Sequence, residues 1–484
     1  MQAEGTAKRH LAGLEIRFTE KAATGWGGLS LVAEYFRRIG LRELLGAALP
    51  DGRTSPNQCS VVDMAMAMMV NVLMGGARFA HVERLRSDEV LRTVFEIKRM
   101  PSAATLTRYF GGFVRKQSER LAELFERYTV ELLGSAKEEV LDLDSTVFDR
   151  YGEQEGSHKG YHPRRPGRPS HHPILAMLAG AKVILHSWLR SGEANPMRGC
   201  VEFLRETLAR LPETFVVKKV RADSGFFCDV FLSELEERNM FYAVAVRARP
   251  DIQKMVLRIT EWRSGRDGRH EFGEFFYGPS PNKKARRIVV VRQPVRKDRT
   301  TPGKLLFQLP KTFVYQLIVT NMSIEREQVW EFYNGRADCE NRIKELKHDF
   351  AAGGFCLQSF FGTEACFRLV CLLFNLMAIL SARLLGNPAR RLSTIRSDVF
   401  VAGAILGRHG RDAVLRIAVR ARTREQFQAR IDKLGQCLFS TASQLLQTLS
   451  SLQLDPSRRW KPRSRPGRLI VVGGFPPVLI PVIN

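Results

Sequence analysis

The chain has 484 residues, enough for roughly two to four structural units. Apolar residues make up 44% of it, which excludes an intrinsically disordered chain and allows a buried core. Its formal net charge of +25 points to a polyanionic partner, because each phosphate neutralised by Lys or Arg releases counterions.

The N-terminal stretch MQAEGTAKRHLAGLEIRF lacks an apolar run long enough for a signal peptide. Residues 1–135 are predicted to be mainly helical. LSLVAEYFRRIGLRELLGAAL and SVVDMAMAMMVNVLMGG space their apolar residues as helices do. PSAATLTRYFGGF opens on a Pro and a Ser suited to a helix N-terminus.

The pattern changes near Glu138. EEVLDLDSTVF reads as a strand, followed by the loop SHKGYHPRRPGRPSHH. PILAMLAGA and KVILHSWLRSG are two more strands, CVEFLRETLARL is an amphipathic helix, and TFVVKKVRADSGF is a strand ending in an acid and a Gly turn. A helix (DVFLSELEERN) and a strand (FYAVAVRA) complete the run. Residues 249–311 are basic and turn-rich and read as β-hairpins; YQLIVTNM is a further strand. A long helix is expected from about Glu325 to Phe350, then helical structure to about Leu454 and a Pro-rich tail over 456–484. LVCLLFNLMAIL, interrupted by Asn375, is too short to span a bilayer and reads as a core helix. The eight cysteines include no CxxC, so free buried thiols are expected rather than disulfides or a zinc site.

Three acids stand out against this frame. Asp142 and Asp144, two apart in LDLDST, share one face of their strand, and an acid in an apolar strand is costly unless paired or metal-bound. Either could be a metal ligand. Asp223 ends its strand just before a Gly turn, where open α/β sheets bind ligands; the alternative is a turn-capping Asp. The helix stretch YNGRADCENRIKELKHDF holds four acids and four Lys or Arg. At roughly 100° per residue, Arg336, Glu340 and Lys347 fall within about 60° of Tyr333, beside an apolar stripe of Phe332, Cys339, Ile343, Leu346 and Phe350. Asp338, Glu345 and Asp349 fall on the far side; Asp338 and Glu345 are expected to be solvated or in surface ion pairs worth little. Phosphodiester chemistry suits such acids: two divalent ions held by carboxylates activate an attacking oxygen and stabilise a leaving one.

Tyr333, Arg336, Glu340 and Lys347 match Tyr-x2-Arg-x3-Glu-x6-Lys. With the acids of LDLDST and RADSGFF, they make the chain resemble the DDE transposases of bacterial insertion sequences over roughly residues 28–420. The resemblance implies an α/β fold: a ribonuclease-H-like catalytic core (136–365) with a β-rich insertion (249–311), flanked by a helical N-terminal DNA-binding or dimerisation region (1–135) and a helical C-terminal region (366–455). It maps the first acid to Asp144, since Ser145 and Thr146 follow it, the second to Asp223 and the third to Glu340. These would hold two Mg²⁺ ions, with Mn²⁺ as a substitute. Tyr333, Arg336 and Lys347 map to residues that grip terminal phosphates, as Arg forks and Lys point charges do. Trp262 is a candidate for stacking a flipped base, the alternative being a hairpin-core Trp; Ala337 stands where some relatives carry an aromatic residue. Arg164, Arg165 and Arg168 belong to a loop read as contacting the DNA backbone.

The implied activity is cut-and-paste transposition on terminal inverted repeats, by a homodimer that pairs two ends of double-stranded DNA in the bacterial cytoplasm, with no membrane contact. The alternatives are a ribonuclease-H-like nuclease without strand transfer and an inactive DNA-binding regulator.

Overall fold

The computed structural model of the protein describes residues 9–436, apart from 13, 17–18, 53–54, 56, 135–137, 163, 195–196, 213–214, 279, 281–282 and 296–311. The expected tail, the end of the C-terminal region and part of the insertion lie outside the described residues.

A nine-stranded mixed sheet organises the chain. We number its strands β1 (Glu139–Ser145), β2 (Ile174–Leu178), β3 (Val183–Trp188), β4 (Val217–Ala222), β5 (Phe241–Ala245), β6 (Arg263–Ser264), β7 (Glu271–Tyr277), β8 (Arg286–Pro294) and β9 (Phe313–Thr320). Their spatial order is β6-β7-β8-β9-β5-β4-β1-β2-β3. β1, β4 and β5 are parallel to one another, and every other pairing is antiparallel. β1 is therefore a central strand, and Leu141 to Asp144 are all buried in it. The insertion lengthens the same sheet from the β5 side. It also contains a helix, Pro250–Leu257, that the hairpin reading did not anticipate; Pro250 sits at its first position, where a missing N–H costs nothing.

The helices used below are α1 (Val61–Leu73), α2 (Arg115–Leu133), α3 (Cys200–Ala209), α4 (Asp229–Glu237), α5 (Arg326–Asn334), α6 (Ala337–His348) and α7 (Phe360–Leu385). The N-terminal region is mainly helical as expected. Ser60 and Ser102 cap their helices by accepting from the amides of Asp63 and Thr105. α7 extends the apolar run to 26 residues, long and apolar enough to cross a membrane, yet it is almost wholly buried in protein. It packs on α1, α2 and β3. Asn375, the one polar interruption, is explained by this docking: it accepts from the Ile184 amide at 2.7 Å and donates to the Ile184 carbonyl at 2.8 Å. The described cysteines are all free.

Three expectations need correction. The predicted helix over 325–350 is two helices, α5 and α6, for a reason given below. The C-terminal region is not all helical: Gly403–His409 and Asp412–Ala418 form a hairpin that adds Ala23–Thr24 as a third strand. Its alternation is mostly solvent-facing, so the apolar signal is weak, and the turn at Gly410 (φ 62°) is the one strong local cue. The stretch read as the Arg-rich loop also contains strands: His158–Lys159 and Pro169–His171 pair within it, and Phe148–Asp149, just before it, adds to Pro169–His171 in a small antiparallel sheet.

Candidate active site

The register of β1 and β4 places Asp142 opposite Arg221 and Leu143 opposite Ala222. Asp144 and Asp223 thus emerge side by side at the carboxyl ends of two parallel strands. Asp144 is buried; one oxygen accepts from the Ser145 amide at 2.8 Å, and the other pairs with Arg336 Nη2 at 2.8 Å. Asp223 accepts from the Gly225 amide at 2.9 Å, so the turn-cap reading accounts for one of its oxygens. Glu340 is half-exposed and accepts from Arg336 Nη1 at 2.8 Å.

The three acids feel one another. Burial drives the Asp144 carboxyl up to about 7, opposed by Arg336 and reinforced by the charges of Asp223 and Glu340. Burial likewise raises Asp223, against Arg336, with Glu340 adding to the rise. Among the described residues, no three His, Cys, Asp or Glu side chains stand close enough together to ligate one ion. Arg336 bridges Asp144 and Glu340 instead.

Asp142 is placed differently. Both its oxygens accept from Arg221, at 2.6 and 2.8 Å, in a buried pair. The third donor of Arg221, Nη1, reaches the Phe332 carbonyl at 3.0 Å. In an unbroken helix that carbonyl would accept from the Arg336 amide, which bonds Tyr333 O at 3.0 Å instead. A Cβ on Gly335 would lie 2.1 Å from Arg221 Nη1, so a glycine is needed where the guanidinium enters. The helix breaks there, and α6 starts anew with Arg336 as its N-cap.

Tyr333 is buried in a cluster with Val289 of β8 and Ile318 of β9. Burial raises its phenol, and the site's charges reach it. Lys347 donates from Nζ to the Val147 carbonyl at 2.8 Å; burial and the nearby Arg164 hold its amine below the usual range. A cavity of about 650 Å³ is lined by Asp144, Ser145, Thr146, Arg164, Glu340 and Lys347, among others. Arg165 and Arg168 do not line it: Arg165 bonds Asp149 and Tyr151, and Arg168 lies over the Tyr151 ring. Trp262 is outside it too; Arg292 sits 3.8 Å above its ring, and the partly buried residue packs against the core.

Among the far-side acids of α6, Glu345 corrects another expectation. Glu345 is buried, not solvated; it pairs with Arg342 and accepts from the Leu392 amide at 2.7 Å. Asp349 accepts from Arg391 and Ser393, and Asp338 pairs with Lys182 at 2.6 Å. Sequence reasoning also missed Arg221, Arg247, Lys344 and Arg391. Arg247 lies near Asp223 and donates to Ser224 Oγ at 3.3 Å; Lys344 and Arg391 line the cavity. For Arg221 the signal was present: two residues before Asp223 on one strand, it must share that acid's face.

Residues 8–438 match the family described as transposase DDE domain group 1, and the chain belongs to that family. It is a DDE-type transposase, an enzyme that moves DNA. Among solved structures it is similar to a piggyBac transposase in a synaptic complex with hairpin DNA, at 11% identity and a TM-score of 0.41, covering 90% of this chain and 88% of that one. No curated protein sequence matches it.

Proposed function

We propose that the protein is the cut-and-paste transposase of a bacterial insertion sequence, acting as a homodimer on terminal inverted repeats in the cytoplasm, with Asp144, Asp223 and Glu340 as its catalytic acids. The mutual electrostatic contact of these three carboxyls beside a cation-lined cavity carries the reading. The order β3-β2-β1-β4-β5, with only β2 antiparallel to the rest, supports a ribonuclease-H-like core. Asp144 is preferred to Asp142 because Arg221 already engages both oxygens of Asp142.

The donor set fits divalent metal. It offers hard carboxylate oxygens, and burial disfavours the charged forms of Asp144 and Asp223 until a cation joins them; Mg²⁺ or Mn²⁺ answers both needs. When bound, two such ions supply an activated oxygen nucleophile and a stabilised leaving 3′ oxygen. The chain's own residues hold and orient DNA. Lys347 and Arg164 present positive charge at the cavity wall, where a phosphate backbone is held by point charge and fork. Arg336 keeps Asp144 and Glu340 together, and its guanidinium is the planar donor that suits a terminal phosphate.

The test uses purified protein, DNA carrying the element's ends, and Mg²⁺. In Asp223→Ala and Glu340→Ala, cleavage and end joining should vanish while end binding survives. Cleavage that persists in both variants overturns the three-acid site.

A further inference from the structure

Cys200 opens helix α3, and Cys228 is the N-cap of helix α4. Their sulfurs lie 3.9 Å apart. The catalytic site described above uses neither. Cys200 is buried and Cys228 half-buried, so Cys228 is the more accessible residue of the pair. A hydrogen bond joins the two thiols. That bond pulls Cys228 down to about 7, against burial, with the Phe231 amide and Arg286 assisting; it pushes Cys200 up. A half-buried thiol of lowered pKa in contact with a buried thiol is the arrangement of an attacking and a resolving cysteine.

The pair is joined to the second acid. Only four residues separate Asp223 from Cys228, and three of them form the turn Ser224–Phe226. Asp223 accepts from Gly225 within that turn, Phe226 is fully buried, and the Cys228 amide donates to the Phe226 carbonyl at 2.9 Å. A displacement of Cys228 is therefore passed to the Asp223 turn.

We propose that Cys200 and Cys228 form a peroxide-oxidisable dithiol whose disulfide pins the Asp223 turn to helix α3. The Cys228 thiolate attacks one oxygen of hydrogen peroxide, forming a sulfenic acid as the O–O bond breaks and hydroxide leaves. The Cys200 sulfur, giving up its proton, then attacks the Cys228 sulfur, and the S–OH oxygen departs as water. Two thiols lose two electrons and two protons, and the peroxide becomes two waters. The sulfurs must close from 3.9 Å to about 2.05 Å, a movement of about 2 Å. Shifts of about 1 Å at a reacting centre already cost rate heavily. Formation of the bond stands independently of the proposed function; its effect on cleavage rests on that reading.

The experiment oxidises the full-length protein with a small excess of hydrogen peroxide, blocks free thiols, and maps peptides without reduction. The expected result is a linked Cys200–Cys228 peptide, absent from Cys228→Ser and from Cys200→Ala, the latter chosen to suit a buried site. End cleavage by the wild type should fall at least tenfold and return with dithiothreitol, while both variants keep cleaving through the treatment. Two results overturn the proposal: oxidation that falls on Cys59 or Cys356 with Cys200 and Cys228 still free, or a linked pair with cleavage unchanged. If untreated protein cleaves no DNA, the functional reading fails, and the linked peptide alone decides the dithiol.

Discussion

Arg221 and Asp142 form a closed, buried pair one pleat behind the two strand acids, at 2.6 and 2.8 Å. Through its third donor, Arg221 also holds the Phe332 carbonyl at the break between α5 and α6. One guanidinium thus ties together the strands of Asp144 and Asp223 and the end of α5, just before the helix of Glu340. Arg221→Ala leaves a buried carboxylate unpaired and should cost about 3–5 kcal/mol in urea unfolding. Asp142→Leu combined with Arg221→Met removes both charges and should recover most of that stability. Cleavage should stay low in the double variant, because the Phe332 carbonyl at the break before α6 then loses its guanidinium donor. Wild-type cleavage in the double variant would reduce the pair to charge balance alone.

The same break shows where the sequence stopped being legible. The order of strands and helices from β1 to β5 was readable, because each buried strand or amphipathic helix carries its own period. The common face of Arg336, Glu340 and Lys347 was readable too, since all three lie on or at the start of α6. The break was not: its cause is a side chain more than a hundred residues upstream, and Gly335 alone does not announce it. Glu345 failed similarly. Helical angle put it on the polar face, but Leu392 and its neighbours, distant in sequence, cover that face.

Lys347 tests the phosphate contact. Its amine lies at the cavity wall, half-buried and anchored to the Val147 carbonyl. Lys347→Ala should weaken binding of end DNA and lower the slope of log affinity against log salt by about 1. Fluorescence anisotropy across a salt series measures this. An unchanged slope would show that the amine serves only to hold Val147.

His171 and His172 set a pH dependence of stability. Burial, with Arg150 adding, lowers His171 to about 3; burial, with Arg190 adding, lowers His172 to about 4. His171 has a structural reason to remain neutral, for its Nδ1 accepts from Arg150 Nε at 2.9 Å. In the unfolded chain both rings take up protons below about 6.5. Between that pH and the folded values the unfolded state binds more protons, so stability is full above about 6.5 and falls on acidification. Each fully differential proton contributes a slope of about 1.4 kcal/mol per pH unit. His171→Gln should remove about half of the pair's slope between roughly pH 6 and 4.5, read from urea midpoints. An unaltered slope would place the acid sensitivity elsewhere.

Arg336 is the resident cation of the site, buried and bonded to both Asp144 and Glu340. Burial alone would lower its pKa, but Asp144 and the neighbouring charges outweigh this and raise it. A divalent ion binding Asp144 and Glu340 must share them with this guanidinium or displace it. Arg336→Ala removes the competitor and leaves the acids uncompensated. The variant should melt below wild type in EDTA, and Mg²⁺ should raise its melting temperature more than that of wild type, because an ion that binds only the folded state stabilises it according to its affinity. DNA cleavage should be lost in the variant even at saturating Mg²⁺, since the planar phosphate donor has gone with the charge. Equal Mg²⁺ shifts in the two proteins would show that the ion and the guanidinium do not compete for the same oxygens.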